Sequence, residues 1–157
     1  MKIKIKIKVN IAVVVITGLA VIGVFYSSTG AQEASRSVWD GVYTEEQARR
    51  GAAIYGRECA SCHGADLNGA DEIPALSGPA FLANWDGLTV GDLSERVRRS
   101  MPPSKPGQLN RQQITDILCH VLSANGFPAD KTELEPKTEL LKQIRIESTK
   151  GKRGSGE

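Results

Sequence analysis

Two stretches of the chain carry apolar residues at helical spacing behind a polar pair that can close the helix start. Thr44 can cap a helix, with Gln47 at the reciprocal position, and Ala48, Ala52, Ala53, Ile54 and Tyr55 follow. Asn110 and Gln113 form a second such pair ahead of Ile114, Ile117, Leu118, Val121 and Leu122, a three- and four-residue rhythm that gives one apolar face. Asn125-Gly126 ends that helix. Between them a further helix is expected from about Thr89 to Arg99, with Leu93 and Val97 turned inward; Met101-Pro102-Pro103 stops it, because proline blocks helical geometry at itself and before itself. Residues 64–88 are rich in Gly, Pro, Asn and Asp and read as mostly loop. The pattern predicts a small, loop-rich, all-α domain over about residues 38–128.

Both ends of the chain depart from this pattern. Lys2, Lys4, Lys6 and Lys8 alternate with isoleucines, an apolar run extends from Val9 to Tyr26, and small residues follow up to Ala31. A basic start, an apolar stretch and a small-residue exit make an export signal over residues 1–31. The same run is just long enough to stay as a membrane anchor through residues 9–26, so cleavage and retention both stay open. Residues 129–157 are charged and repeat Lys-Thr-Glu-Leu at 131–134 and 137–140. They read as a C-terminal tail that packs locally through Leu140, Leu141, Ile144 and Ile146 and is partly disordered at its end.

Composition sharpens the picture in two ways. The chain has 20 basic and 18 acidic residues. Four of the lysines lie in residues 1–31, and without them 16 basic residues face 18 acidic ones. Nothing suggests a nucleic-acid surface. The apolar side chains of the central domain are also few for its length, and such a domain usually needs a staple or a cofactor to complete its core.

Cys59-Ala60-Ser61-Cys62-His63 is the pattern for covalent haem attachment. Two thiols three residues apart lie on one side of a helical turn, where they can reach both vinyl groups of one haem edge. The adjacent His63 then points its imidazole at the iron. A flat apolar ring would also fill the sparse core. A zinc site from Cys59, Cys62, Cys119 and a histidine, a thioredoxin-like redox pair and a Cys59–Cys62 disulfide are rival readings of the same cysteines. Apart from Met1, Met101 is the chain's sole thioether, and its proline-rich loop makes it the candidate second iron ligand. His120 is the competing candidate. Cys119 reads as a small buried helix residue.

On Cys59-Ala-Ser-Cys62-His63-Gly64, Pro74-Ala-Leu76-Ser-Gly78, Met101-Pro-Pro with Pro106-Gly107, and Leu118 to Gly126, the chain resembles the class I cytochromes c over residues 38–128. It is most similar to the small bacterial cytochromes that accompany pyrroloquinoline-quinone dehydrogenases. The resemblance implies a small cytochrome c fold, with three to five helices and long loops around one covalently bound haem c. It implies a crossing of the first and last helices at Gly51 and Tyr55. It implies a hydrogen bond from the axial His63 to the Pro74 carbonyl, a Trp85 contact to a haem propionate, and Leu76, Phe81 and Leu118 as pocket walls. Cys119-His120 departs from the family, where a small residue and an aromatic are commoner.

With His63 and Met101 on the iron, no position is left for substrate. The expected function is therefore single-electron transfer outside the cytoplasm, in the periplasm or on the outer face of the inner membrane, and not enzymatic catalysis. The expected partners are redox proteins, a quinoprotein dehydrogenase on one side and a terminal oxidase or another cytochrome on the other. The alternative function is a haem peroxidase or gas sensor in which Met101 is displaced.

Overall fold

The computed structural model describes residues 36–151. The expected export signal or anchor, residues 1–31, and all but the first residue of the expected disordered end, 151–157, lie outside that range.

Six α-helices stand among the described residues: α1 (Glu45–Glu58), α2 (Ala60–His63), α3 (Gly78–Trp85), α4 (Val90–Ser100), α5 (Arg111–Ala124) and α6 (Thr138–Leu141). Two short parallel strands, β1 (Arg36–Ser37) and β2 (Ile144–Arg145), pair beside them. The fold is all-α as expected, apart from the short strand pair, with six helices where three to five were expected; two of the six are single turns.

The helix starts follow from local chemistry. Thr44 and Gln47 form a reciprocal cap on α1, Thr89 and Asp92 on α4, and Asn110 and Gln113 on α5. Each pair satisfies two backbone N–H groups that the first helical turn leaves without a partner. The inner face of α5 is buried along its length, and Asp116 on it accepts from Arg50 Nε and Nη2 at 3.1 and 3.2 Å. Arg50 reaches Glu133 as well, at 2.9 Å.

Helices α1 and α5 cross at Gly51. A Cβ there would lie 1.8 Å from the Asp116 carbonyl oxygen, so only hydrogen fits between the two backbones. Four residues on, Tyr55 is buried, and its ring meets that of His120 at 5.3 Å.

Residues 64–88 are not all loop. Helix α3 forms inside them because Pro79 sits in its first turn, where no N–H is needed, and because Phe81 is fully buried. Asn125, at the end of α5, fixes its start: the Gly78 N–H donates to Asn125 Oδ1 at 3.0 Å, and Asn125 Nδ2 donates to the Leu76 carbonyl at 3.0 Å.

The C-terminal segment does not pack locally, and the domain does not stop at residue 128. The described residues, 36–151, belong to one compact unit. Leu134, Leu141, Ile144 and Ile146 are all buried in the main core, while Leu140 stays exposed. Gln47, 0% exposed, holds the segment to α1: its Nε2 donates to the Leu134 carbonyl at 2.9 Å and the Leu134 N–H donates to its Oε1 at 2.7 Å. Further on, Gly87 and Leu88 exchange backbone hydrogen bonds with Ile146, and Trp39 Nε1 donates to the Glu147 carbonyl at 2.9 Å. The apolar positions expected to make a local cluster are each used by a distant element instead. Among the described residues no helix is long and apolar enough to cross a membrane, and residues 9–26 lie outside them.

Candidate functional site

Helix α1 ends at Glu58, and the chain turns at Cys59 straight into α2. The Cys62 and His63 N–H groups both donate to the Cys59 carbonyl, at 3.1 and 3.0 Å, which closes the turn that carries both thiols and the imidazole. Gly64 stops it at φ +79°, and the Tyr55 hydroxyl donates to the Gly64 carbonyl at 2.7 Å. The Tyr55 proton is held there: burial pushes its pKa up to about 12. Cys59 is half-buried, Cys62 is exposed and both are free thiols. Burial first, then the nearby Glu58 and Cys62, pushes the Cys59 thiol up to about 11.

The loop after α2 returns on itself to meet His63. Gly69, at φ +68°, donates its N–H to the His63 carbonyl at 2.8 Å; a Cβ there would lie 2.3 Å from the Ile73 carbonyl oxygen. The return places the Pro74 carbonyl 2.9 Å from His63 Nδ1. A carbonyl offers only lone pairs, so Nδ1 donates and Nε2 keeps its own lone pair for a ligand. His63 is 8% exposed.

Met101 caps the C-terminus of α4. Its N–H donates to the Val97 carbonyl at 2.9 Å, its side chain is half-buried, and its peptide bond to Pro102 is cis. The loop that follows comes back to α1, where Gln108 Nε2 donates to Glu58 Oε2 at 2.9 Å. Leu76 is half-buried against the core. Trp85 is also half-buried and stacks on Phe81 with ring centroids 6.4 Å apart. Its indole N–H donates to no other described residue.

Cys119 is fully buried in α5, and burial pushes its thiol well above the usual range. His120 is half-buried beside Tyr55, and burial lowers its pKa. It faces a groove shared with Glu45, Arg49 and Ser123. Among the described residues no group of three or more His, Cys, Asp or Glu side chains is placed to hold a metal ion, so the zinc reading finds no ligand cluster. The two-residue strands β1 and β2 give no βαβ unit for a thioredoxin-like pair among the described residues.

The residues fit a haem. The lone pair on His63 Nε2 is free of any described partner. Leu76, Leu82, Trp85 and Val97 pack on the core yet remain partly uncovered, an apolar lining that a flat apolar ring would complete.

Residues 46–121 match the family model described as cytochrome c oxidase, cbb3-type, subunit III. The chain carries a class I c-type cytochrome domain. Such a domain binds haem c covalently and serves electron transport, and Cys59, Cys62 and His63 occupy its Cys-x-x-Cys-His positions. Two cbb3-type cytochrome c oxidase subunits CcoP are similar to it. That of Azospirillum sp. (strain B510) is 32% identical, covering 51% of this chain and 31% of the relative. That of Azospirillum brasilense is 30% identical, covering 54% and 33%. The chain thus spans about a third of the length of these curated relatives. A chain of the sulfane dehydrogenase SoxCD from Paracoccus pantotrophus aligns with a TM-score of 0.47 at 25% identity, over 68% of this chain and 61% of that one.

Sequence reasoning alone misses several parts of the cytochrome's site. Helix α3, the Tyr55–Gly64 hydrogen bond and the Gln108–Glu58 contact each depend on partners that no local pattern announces. The Pro79 that opens α3 is the one signal that could have revealed it.

Proposed function

We propose that the cytochrome is a one-electron carrier or electron-transfer subunit working outside the cytoplasm. In this reading Cys59 and Cys62 would hold one haem by thioethers, and His63 and Met101 would ligate its iron. The observation that carries it is the single turn Cys59–His63, with His63 Nδ1 fixed on the Pro74 carbonyl at 2.9 Å.

When bound, haem supplies an iron that passes between ferric and ferrous states by one electron. The surrounding residues set how it does so. The Pro74 carbonyl orients the His63 ring and makes its Nε2 a stronger donor. The Met101 thioether, as a ligand, would favour the ferrous state and raise the potential. Leu76 and its apolar neighbours keep water from one face, and Trp85 offers its N–H to a propionate. With both His63 and Met101 on the iron no place would be left for substrate, which suits a carrier rather than an enzyme.

The exposed Cys62 side marks where electrons enter and leave, through a small transient interface below about 1,200 Å². Similarity to the CcoP subunits favours a terminal oxidase as the acceptor; a quinoprotein dehydrogenase is the proposed donor. Residues 1–31 would direct export, cleaved or retained as an anchor.

A potentiometric titration of the haem-loaded protein tests the carrier reading. One reversible wave is expected, with about 59 mV per tenfold change in the oxidised-to-reduced ratio, as for a one-electron couple. A two-electron slope, or failure to re-oxidise, would overturn it.

A further inference from the structure

We infer that Gln108 and Glu58 form a latch that holds the Met101 loop against the cysteine-bearing end of α1, and so sets how easily the sixth iron position opens. The inference rests on the proposed ligation by Met101.

The loop from Met101 to Asn110 has little else to hold it. Pro102, Pro103 and Pro106 have no N–H to donate. The hydrogen bonds of Lys105 to Pro102 and of Gln108 to Lys105 are turns within the loop. Residues 103–108 are exposed, and Leu109 is the loop's one buried apolar anchor. Against this, the Gln108 amide reaches a carboxylate 50 residues earlier in the chain. Glu58 immediately precedes Cys59, the residue that would fasten one haem edge. The contact therefore ties the segment carrying one proposed ligand to the helix end carrying the covalent attachment. A bond to a charged acceptor is stronger than a neutral one, but exposure to water keeps it modest, which suits a fastening that opens and closes.

The test uses the full-length, haem-loaded ferric protein with imidazole as the probe, since imidazole binds only where Met101 has left. Gln108→Ala and Glu58→Ala are each expected to tighten imidazole binding by about three- to ten-fold, the range one such hydrogen bond supports. The double variant should add little more, because one contact is lost in all three. Gln108→Lys, which replaces the amide by an ion pair with Glu58, should weaken imidazole binding below the wild-type level. A merely structural role would lower the melting temperature without separating Gln108→Lys from Gln108→Ala in this way. The weak sulfur-to-iron charge-transfer band is recorded in each protein. If the band is present and imidazole binding is unchanged in the single variants, the latch is overturned and Met101 ligation stands. If the band is absent from the wild type, ligation and latch both fall.

Discussion

Gly51→Ala is expected to destabilise the domain by about 3 kcal/mol or more, a large share of the ~5–15 kcal/mol by which such domains are stable. The new Cβ would stand 1.8 Å from the Asp116 carbonyl oxygen. A carbonyl inside a helix cannot rotate aside, so α1 and α5 would have to separate. Separation would strain the Arg50–Asp116 pair and the Tyr55–His120 contact that lie along the same crossing. Gly56 supplies the control on the same helix. Nothing lies within 4 Å of a Cβ there, so Gly56→Ala should stabilise by about 0.5–1 kcal/mol through helix propensity alone. Urea denaturation of the two variants measures both effects. A Gly51→Ala midpoint equal to the wild type would show that the helices do not meet this closely.

Met101→Ala is expected to abolish the sulfur-to-iron charge-transfer band of the ferric protein and to lower the reduction potential by on the order of 0.1 V, within the ~0.8 V over which axial ligands set haem potentials. Alanine supplies no lone pair, and the flanking prolines leave the loop little freedom to offer another donor. Exogenous ligands such as imidazole should bind the variant without the competition they meet in the wild type. The covalent haem should be untouched, since Cys59 and Cys62 lie on a different segment. A band and potential unchanged in the variant would exclude Met101 as a ligand, and a wild type that lacks the band would turn attention to His120.

The parts of the fold legible from sequence are those whose partners are neighbours in the chain. Thr44 and Gln47, and Asn110 and Gln113, satisfy each other across one helical turn, so their spacing announces them. The Cys59–His63 turn is legible for the same reason. Other features were hidden because their partners are remote. Helix α3 takes its start from Asn125, 47 residues later, while its own stretch reads as Gly- and Pro-rich loop. Leu134 is held by Gln47 across 87 residues, and Ile144 and Ile146 by β1 and Leu88, so the charged segment around them conceals a strap built into the core. The approach of Pro74 to His63 came from family resemblance, not from any spacing rule, because it depends on the Gly69 turn. Gln108 and Glu58, polar and exposed, look like any solvated pair until the loop is folded.

The most direct measurement is the intact mass of the exported protein after denaturation and acid-acetone extraction. Covalent attachment through Cys59 and Cys62 predicts that the polypeptide keeps the mass of one haem, and that Cys59→Ala combined with Cys62→Ala loses it. Release of the haem from the wild-type chain would contradict covalent attachment at this site.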